Sequence, residues 1–152
     1  MTPPITTAAS DKTIQLTKGQ QRASHALKTI EEYAKFEKHE HYVSYVSAMP
    51  AQIINNGLGQ TLATLLAAAA RTKSPMSDPH FALCKHVTDW LRCNMDELKP
   101  SEVGPIGVLK QLMECDQSTF VRAQTESMLY LDWLKKFARA FMNDSDSVTP
   151  QM

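Results

Sequence analysis

Residues 55–60, NNGLGQ, contain glycines spaced as in loops that bind phosphate. A Gly-x-Gly pattern such as Gly57-x-Gly59 wraps a phosphate when it follows a strand and opens a helix. Here the helical period of residues 50–54 continues unchanged into residues 61–66, and no Lys-Ser or Lys-Thr pair follows. The pattern therefore predicts two glycines inside a helix, where they let a neighbouring backbone approach closely.

The segment Lys38-His39-Glu40-His41 combines two imidazoles with a carboxylate, which are metal-binding groups. In a helix, however, His39 and His41 diverge by about 200°, and in a strand they need a further ligand from elsewhere. A solvated helix junction is the favoured interpretation. No histidine is paired with a recognisable nucleophile or oxyanion site, so we predict no catalytic residue, no metal site and no cofactor.

Basic residues form two groups in the predicted helices, and the first is a candidate for contact with an RNA backbone. In the first predicted helix, Arg22 and His25 lie within about 40° of Lys18, away from an apolar stripe centred about 120° from it. The second group lies near the end of the last predicted helix and contains Lys135, Lys136 and Arg139. Cations there also complement the helix dipole, and a solvated face is the alternative for both groups.

The composition describes one folded domain of modest charge. The 152 residues are 43% hydrophobic, and 16 Lys+Arg balance 16 Asp+Glu. A net charge of zero argues against a domain that binds nucleic acid through bulk electrostatics. We expect a soluble cytoplasmic protein with no membrane contact, because no apolar run approaches the roughly 20 residues of a membrane span and the amino terminus lacks a signal-peptide pattern. Three cysteines at irregular spacing do not form a disulfide framework.

Apolar residues at three- and four-residue spacing predict an all-α fold, a compact bundle of five to seven helices. Residues 1–15 are expected to be a flexible lead, residues 16–142 a single helical domain, and residues 143–152 a flexible tail.

Capping residues and prolines predict where the helices begin and end. The first helix is expected to start after Thr17 and to run to about Lys38. Pro50 is expected in the first turn of a new helix, with Ile54 on its buried face. Further helix starts are expected at Asp78-Pro79 and at Gly104-Pro105, and the last helix is expected over residues 118–142 with Val121 and Phe141 inward.

Three segments resemble the small-subunit family of Cmr-type (type III-B) CRISPR effector complexes. The most specific is residues 42–63, YVSYVSAMPAQIINNGLGQTLA. Residues 125–141, TESMLYLDWLKKFARAF, resemble that family's closing helix, and residues 20–30, QQRASHALKTI, fit its first helix. The similarity extends over essentially the whole helical part of the chain.

This resemblance implies a compact helical protein without catalytic activity of its own. Members stack as the inner filament of an RNA-guided antiviral complex, beside the backbone subunit that holds the guide RNA, and target RNA lies in the groove between the filaments. The expected partners are therefore other Cmr-type subunits, copies of the chain itself, guide RNA and target RNA. By resemblance, the signature positions Asn56, Gly57, Gly59 and Gln60 serve close helix packing or a subunit contact. Lys135 and Lys136 match the basic pair of the closing helix. The candidates for contact with RNA or another subunit are therefore Lys135, Lys136 and Arg139, together with Lys18 and Arg22.

Two other functions remain open on the sequence. A free-standing helical adaptor or regulator would bind one protein partner through a helical groove and would need no RNA. A small hydrolase or nuclease would use the histidines, and would lose activity when His39 or His41 is replaced.

Overall fold

The computed structural model describes residues 14–36 and 39–142, which contain six α-helices and no strand. The helices are α1 (Lys18–Tyr33), α2 (Tyr42–Asn56), α3 (Leu58–Ala70), α4 (Pro79–Asn94), α5 (Pro105–Glu114) and α6 (Gln117–Phe141), with short 3₁₀ turns at Pro75–Ser77 and Asp96–Leu98. The predicted all-α bundle is confirmed. The predicted flexible tail, and the predicted lead up to residue 13, lie outside the described residues.

The longest helix, α6, holds the bundle together. It packs most extensively against α1 and α2, while α3 packs against α4. The two largest fully buried side chains are Tyr42 of α2 and Tyr130 of α6, and aliphatic residues from every helix complete one continuous core. None of the helices in the described ranges is long and apolar enough to span a membrane.

Helix α1 begins where the sequence predicts but ends earlier. Thr17 accepts a hydrogen bond from the Gln20 backbone N–H, and the Gln20 side chain accepts one from the Thr17 N–H, so the two form a capping box. The helix ends at Tyr33 rather than near Lys38, which lies outside the described residues. The Tyr33 ring packs 4.7 Å from the ring of Tyr42 and 5.1 Å from that of His86, and these contacts favour a chain reversal at this point.

The prediction of a helix break at Pro50 is wrong. Pro50 lies inside α2, and the break comes at Gly57, which is therefore not inside a helix. Buried Val46 and Ile53 keep α2 docked on both sides of the proline, which compensates for the lost backbone hydrogen bond. Because the break is displaced, Ile54 lies on the outer face of α2 and is 71% exposed rather than buried.

The remaining helix starts agree closely with the sequence. Asp78 caps α4 with Pro79 in its first turn, and α5 begins at Pro105 after Gly104. Helix α6 begins at Gln117. Val121 and Phe141 of α6 are exposed, contrary to the prediction, because the buried face is set by residues such as Ala123, Ser127, Leu131 and Leu134.

Candidate functional site

The two basic candidates of α1 contact other helices of the bundle. Lys18 Nζ donates a hydrogen bond to Asn94 Oδ1 of α4 at 2.6 Å. The Arg22 guanidinium forms a bidentate ion pair with Glu126 of α6, with Nε–Oε2 at 2.5 Å and Nη2–Oε1 at 3.0 Å. These two side chains are only 16% and 12% exposed. Arg22 thus joins α1 to α6, and its contact with RNA or another subunit stays a prediction.

Glu126 links three helices through this contact. Its carboxylate also accepts a hydrogen bond from Trp90 Nε1 of α4 at 2.9 Å. Burial alone would raise the pKa of Glu126, but the hydrogen bonds from Arg22 and Trp90 and the charge of Arg22 outweigh it and hold that pKa below its usual range. The carboxylate is therefore charged at neutral pH and satisfies both donors.

The basic group at the end of α6 is more open to solvent. Lys136 pairs with Asp132 one turn earlier at 3.1 Å, and both side chains are more than half exposed. A pair this exposed contributes little to stability. Lys135 and Arg139 form no ion pair with any residue in the described ranges, and Arg139 is exposed. The charges of Lys135 and Arg139 therefore remain available for a contact outside the chain.

The glycine-containing signature block forms the junction between α2 and α3. Gly57 has a φ of +87°, and its N–H donates to the Ile53 carbonyl at 2.7 Å. This left-handed backbone is the one that favours glycine. The next N–H, that of Leu58, donates to Gln124 Oε1 of α6 at 3.0 Å. A side chain of the closing helix thus caps the start of α3.

Gly59, in contrast, lies in the first turn of α3, where the space beside it is filled. A Cβ atom at this position would lie 2.8 Å from Met113 Cε of α5. The close approach at Gly59 is therefore made by a side chain and not by a neighbouring backbone.

An open apolar groove of about 430 Å³ runs beside the signature block. Its lining contains Asn56, Gly57, Gly59, Gln60, Ala63, Leu109, Met113 and Phe120. No charged side chain is among these residues, and Met113 is exposed. The groove suits an apolar side chain of a protein partner better than a phosphate.

Two histidines bond to buried tyrosines. His25 Nδ1 lies 2.7 Å from the hydroxyl of Tyr130, and His86 Nδ1 lies 2.6 Å from the hydroxyl of Tyr42. Burial lowers the pKa of both imidazoles, that of His86 to about 3. Across the described parts of the chain, no group of three His, Cys, Asp or Glu side chains has the arrangement of a metal site.

His41 instead lies beside a cavity that the sequence analysis did not predict. It precedes α2 with a φ of +71°, and its ring lies 6.1 Å from that of Tyr45. The ring of His80 in α4 stacks on the same Tyr45 ring. The cavity holds about 400 Å³ next to the loop between α3 and α4. Its residues come from two separate parts of the sequence, where the only signals were the His39-Glu40-His41 segment, interpreted as a helix junction, and Asp78 as a helix cap.

The cysteines are free thiols. Cys84 is buried, and burial raises its pKa to about 12. Cys93 is exposed and Cys115 is half-buried. Such a strongly raised pKa makes the Cys84 thiol a poor nucleophile.

Comparison with known proteins matches this fold to one family. A family model described as CRISPR-associated protein (Cas_Cmr5) matches residues 18–141. The crystal structure of a CRISPR-associated Cmr5 family protein from Thermus thermophilus is also similar, with a TM-score of 0.67 and 22% sequence identity. The similarity covers 85% of this chain and 100% of that one. At this level of identity, the structural similarity is one of fold.

Proposed function

We propose, from the premise that the chain belongs to the CRISPR-associated Cmr5 family, that it is a non-catalytic small subunit of a type III-B CRISPR ribonucleoprotein effector complex. Family membership makes it a subunit of a Cmr complex. Within that complex, copies of the chain stack as the inner filament and help to hold guide and target RNA for antiviral defence. The observation that carries the proposal is the family match over residues 18–141, which begins with α1 and ends with α6.

The cations at the end of α6 support a direct role in holding RNA. Lys136 and Arg139 are exposed, and Lys135 and Arg139 are without an ion pair among the described residues. The chain as a whole has no net charge, so one copy binds phosphate weakly. Several copies in one filament add their weak contacts along the same RNA, and linked sites of this kind bind far more tightly than one alone.

The apolar groove beside the signature block supports a contact between subunits. Asn56 and Gln60 are exposed at its edge and offer hydrogen bonds around an apolar centre. A polar rim around an apolar centre is the usual anatomy of a protein interface. The same groove is the observation that favours the second candidate, a helical adaptor with a single protein partner.

The proposal assigns no chemical step to this chain. The described imidazoles of His25 and His86 are engaged by tyrosine hydroxyls inside the bundle, and Cys84 is a buried thiol of raised pKa. Cleavage of target RNA is thus assigned to other subunits of the complex.

A tagged pull-down from the native cell, analysed for proteins and for small RNA, tests the proposal. Several unlike subunits recovered with a uniform short RNA are expected. Recovery of one protein partner without RNA would favour the adaptor instead. Recovery of the chain alone would contradict both.

Two matched variants test the groove in the same pull-down. Ala63→Glu places a charge in the groove, whereas Ala70→Glu places the same charge on an exposed position farther along α3. Both are expected to fold, since each side chain is exposed. Ala63→Glu is expected to lower subunit recovery at least tenfold, and Ala70→Glu to leave it unchanged. Equal recovery for the two variants would remove the groove from the subunit contact.

A further inference from the structure

The cavity at the start of α2 contains an aromatic ring held in a fixed position. The rings of Tyr45 and His80 stack with centroids 3.9 Å apart and planes inclined by 20°. Tyr45 lines the cavity and His80 does not. One face of the Tyr45 ring is therefore covered by His80, and Tyr45 itself is half-buried at the cavity. His41 lines the same cavity, with its ring tilted by 35° to that of Tyr45.

Asp78 fixes the histidine that supports this ring. Its Oδ1 accepts the His80 backbone N–H at 2.8 Å and lies 2.7 Å from His80 Nδ1. Because a carboxylate only accepts hydrogen bonds, Nδ1 carries the proton of this contact. Burial, and then the charge of Asp78, raises the pKa of Tyr45, so its hydroxyl is neutral at physiological pH. The orientation of the Tyr45 ring is thus set before any ligand arrives.

The cavity also has groups of the kind that bind phosphate and sugar. Lys73 lines it, together with the hydroxyls of Thr72, Ser74 and Ser77. Arg71 is exposed in the same loop, and neither Arg71 nor Lys73 forms an ion pair within the described part of the chain. The acidic residues at the cavity are Glu40, which is exposed, and Asp78, whose carboxylate is bonded to His80.

These observations favour one class of ligand. A volume of about 400 Å³ lies in the range of sites for small ligands, roughly 300–1,000 Å³. An aromatic ring beside cations and hydroxyls offers a stacking surface for a base, charge for a phosphate and hydrogen bonds for a ribose. Double-stranded RNA does not fit, because its bases are stacked on one another and do not reach a side chain in a cavity.

We infer that this cavity binds one nucleotide of single-stranded RNA, with the base against Tyr45 and the phosphate at Lys73. The inference rests on the proposed function and deepens it, since it adds a base-stacking site to the phosphate contacts of α6. Tyr45 is the contact residue, and His80 and Asp78 are positioning residues that hold its ring.

Titration of the isolated full chain with a fluorescent single-stranded 15-mer of RNA tests the stacking contact. Tyr45→Ala is expected to weaken binding about tenfold, a typical loss for one stacked base, whereas Tyr45→Phe keeps the ring and is expected to stay within twofold of wild type. Lys73→Ala is expected to weaken binding about threefold. The fall of log K with the logarithm of the salt concentration should also become less steep, by about 0.7 in slope. Lys110→Ala, an exposed lysine of α5, is the matched control and is expected to change neither.

Photocrosslinking of a 4-thiouridine RNA, in the isolated chain and in the purified complex, separates the outcomes. Crosslinks to the peptides that contain Tyr45 or Lys73 are expected in both samples. RNA crosslinks confined to α6, with unchanged binding by Tyr45→Ala, would overturn the cavity and leave the proposed function standing. In the purified complex, a lysine-reactive crosslinker that joins Lys73 to another subunit, without RNA crosslinks at the cavity, would make the cavity a subunit interface and would also overturn the inference. Should the pull-down recover no RNA, the proposed function fails, and the titration of the isolated chain still decides the cavity.

Discussion

In the first half of α6, Gln124 and Glu126 bond to other helices, whereas in the second half Lys136 and Arg139 lie exposed at the surface. The same contrast separates the two basic groups, because Arg22 is held inside the bundle by Glu126 and Arg139 is not held by any described side chain. Burial and partners, rather than residue type, thus distinguish a cation that stabilises the fold from one that is free to bind. Variants in the two halves of α6 should therefore affect different measurements.

The largest expected effect on stability comes from Glu126→Ala. This change leaves the Arg22 guanidinium unpaired at 16% exposure and removes the acceptor of Trp90 Nε1. Loss of a largely buried, charged hydrogen-bond partner costs about 2–3 kcal/mol. Urea denaturation should show this loss, and the midpoint of thermal unfolding should fall by about 5–10 °C. The double variant Arg22→Ala, Glu126→Ala should lose less than the sum of the single variants, and strict additivity would contradict the coupling.

The same carboxylate predicts a dependence on pH. The pKa of Glu126 in the folded chain lies below its value in the unfolded chain, which is about 4.3. Its stabilisation is therefore fully present above that value and is lost as the pH falls through the folded pKa. The difference in unfolding free energy between wild type and Glu126→Gln should be constant from pH 8 to 5.5 and should shrink toward pH 3. A difference that stays the same at pH 3 would show that Glu126 does not act through its charge.

Gln124→Ala should have a smaller effect, confined to the signature block. It removes the acceptor of the Leu58 N–H at the start of α3, and a backbone donor left without its partner costs about 1 kcal/mol. Hydrogen exchange should become at least fivefold faster at the Leu58 amide and should be unchanged at amides in the middle of α4. Gln124→Glu is the control, since it keeps an acceptor at this position. Unchanged exchange at Leu58 would mean that Gln124 does not cap α3.

The sequence predicts those parts of the fold that depend on neighbouring residues. The Thr17 N-cap of α1 and the start of α4 at Asp78 are local signals, and both are confirmed. The break between α2 and α3 is not local. Pro50 is the stronger signal in the sequence, yet α2 ends at Gly57, which has a positive φ. The next N–H, that of Leu58, donates a hydrogen bond to Gln124 of α6, so this break depends on a residue far away in the sequence. Packing of α2 on both sides of the proline overrides the local preference.

The contacts of the candidate site likewise depend on residues that are far apart in the sequence. Helix geometry places Lys18 and Arg22 on one flank, but the acidic partner of Arg22 lies 104 positions away and cannot be assigned from spacing. The stack of Tyr45 on His80 likewise depends on α2 and α4 meeting in the folded chain. A sequence of 152 residues therefore identifies the family and the exposed cations more readily than the pairs that bury or orient them.

The smallest effect on stability, and the sharpest test of the contrast, is expected from the charge reversal Lys135→Glu, Lys136→Glu. Lys136 is 62% exposed and pairs only with the exposed Asp132, so the fold should lose at most about 1 kcal/mol, chiefly from new repulsion between acidic side chains one turn apart. The proposed function predicts that the purified complex binds target RNA at least tenfold more weakly, because each copy in the proposed filament would lose a phosphate contact. The reversal Lys85→Glu, Lys110→Glu on α4 and α5 is the control, with the same change in charge at two exposed lysines, and should leave RNA binding unchanged. Equal losses in the two reversals would assign the effect to total charge, and no loss in either would remove the end of α6 from the RNA contact.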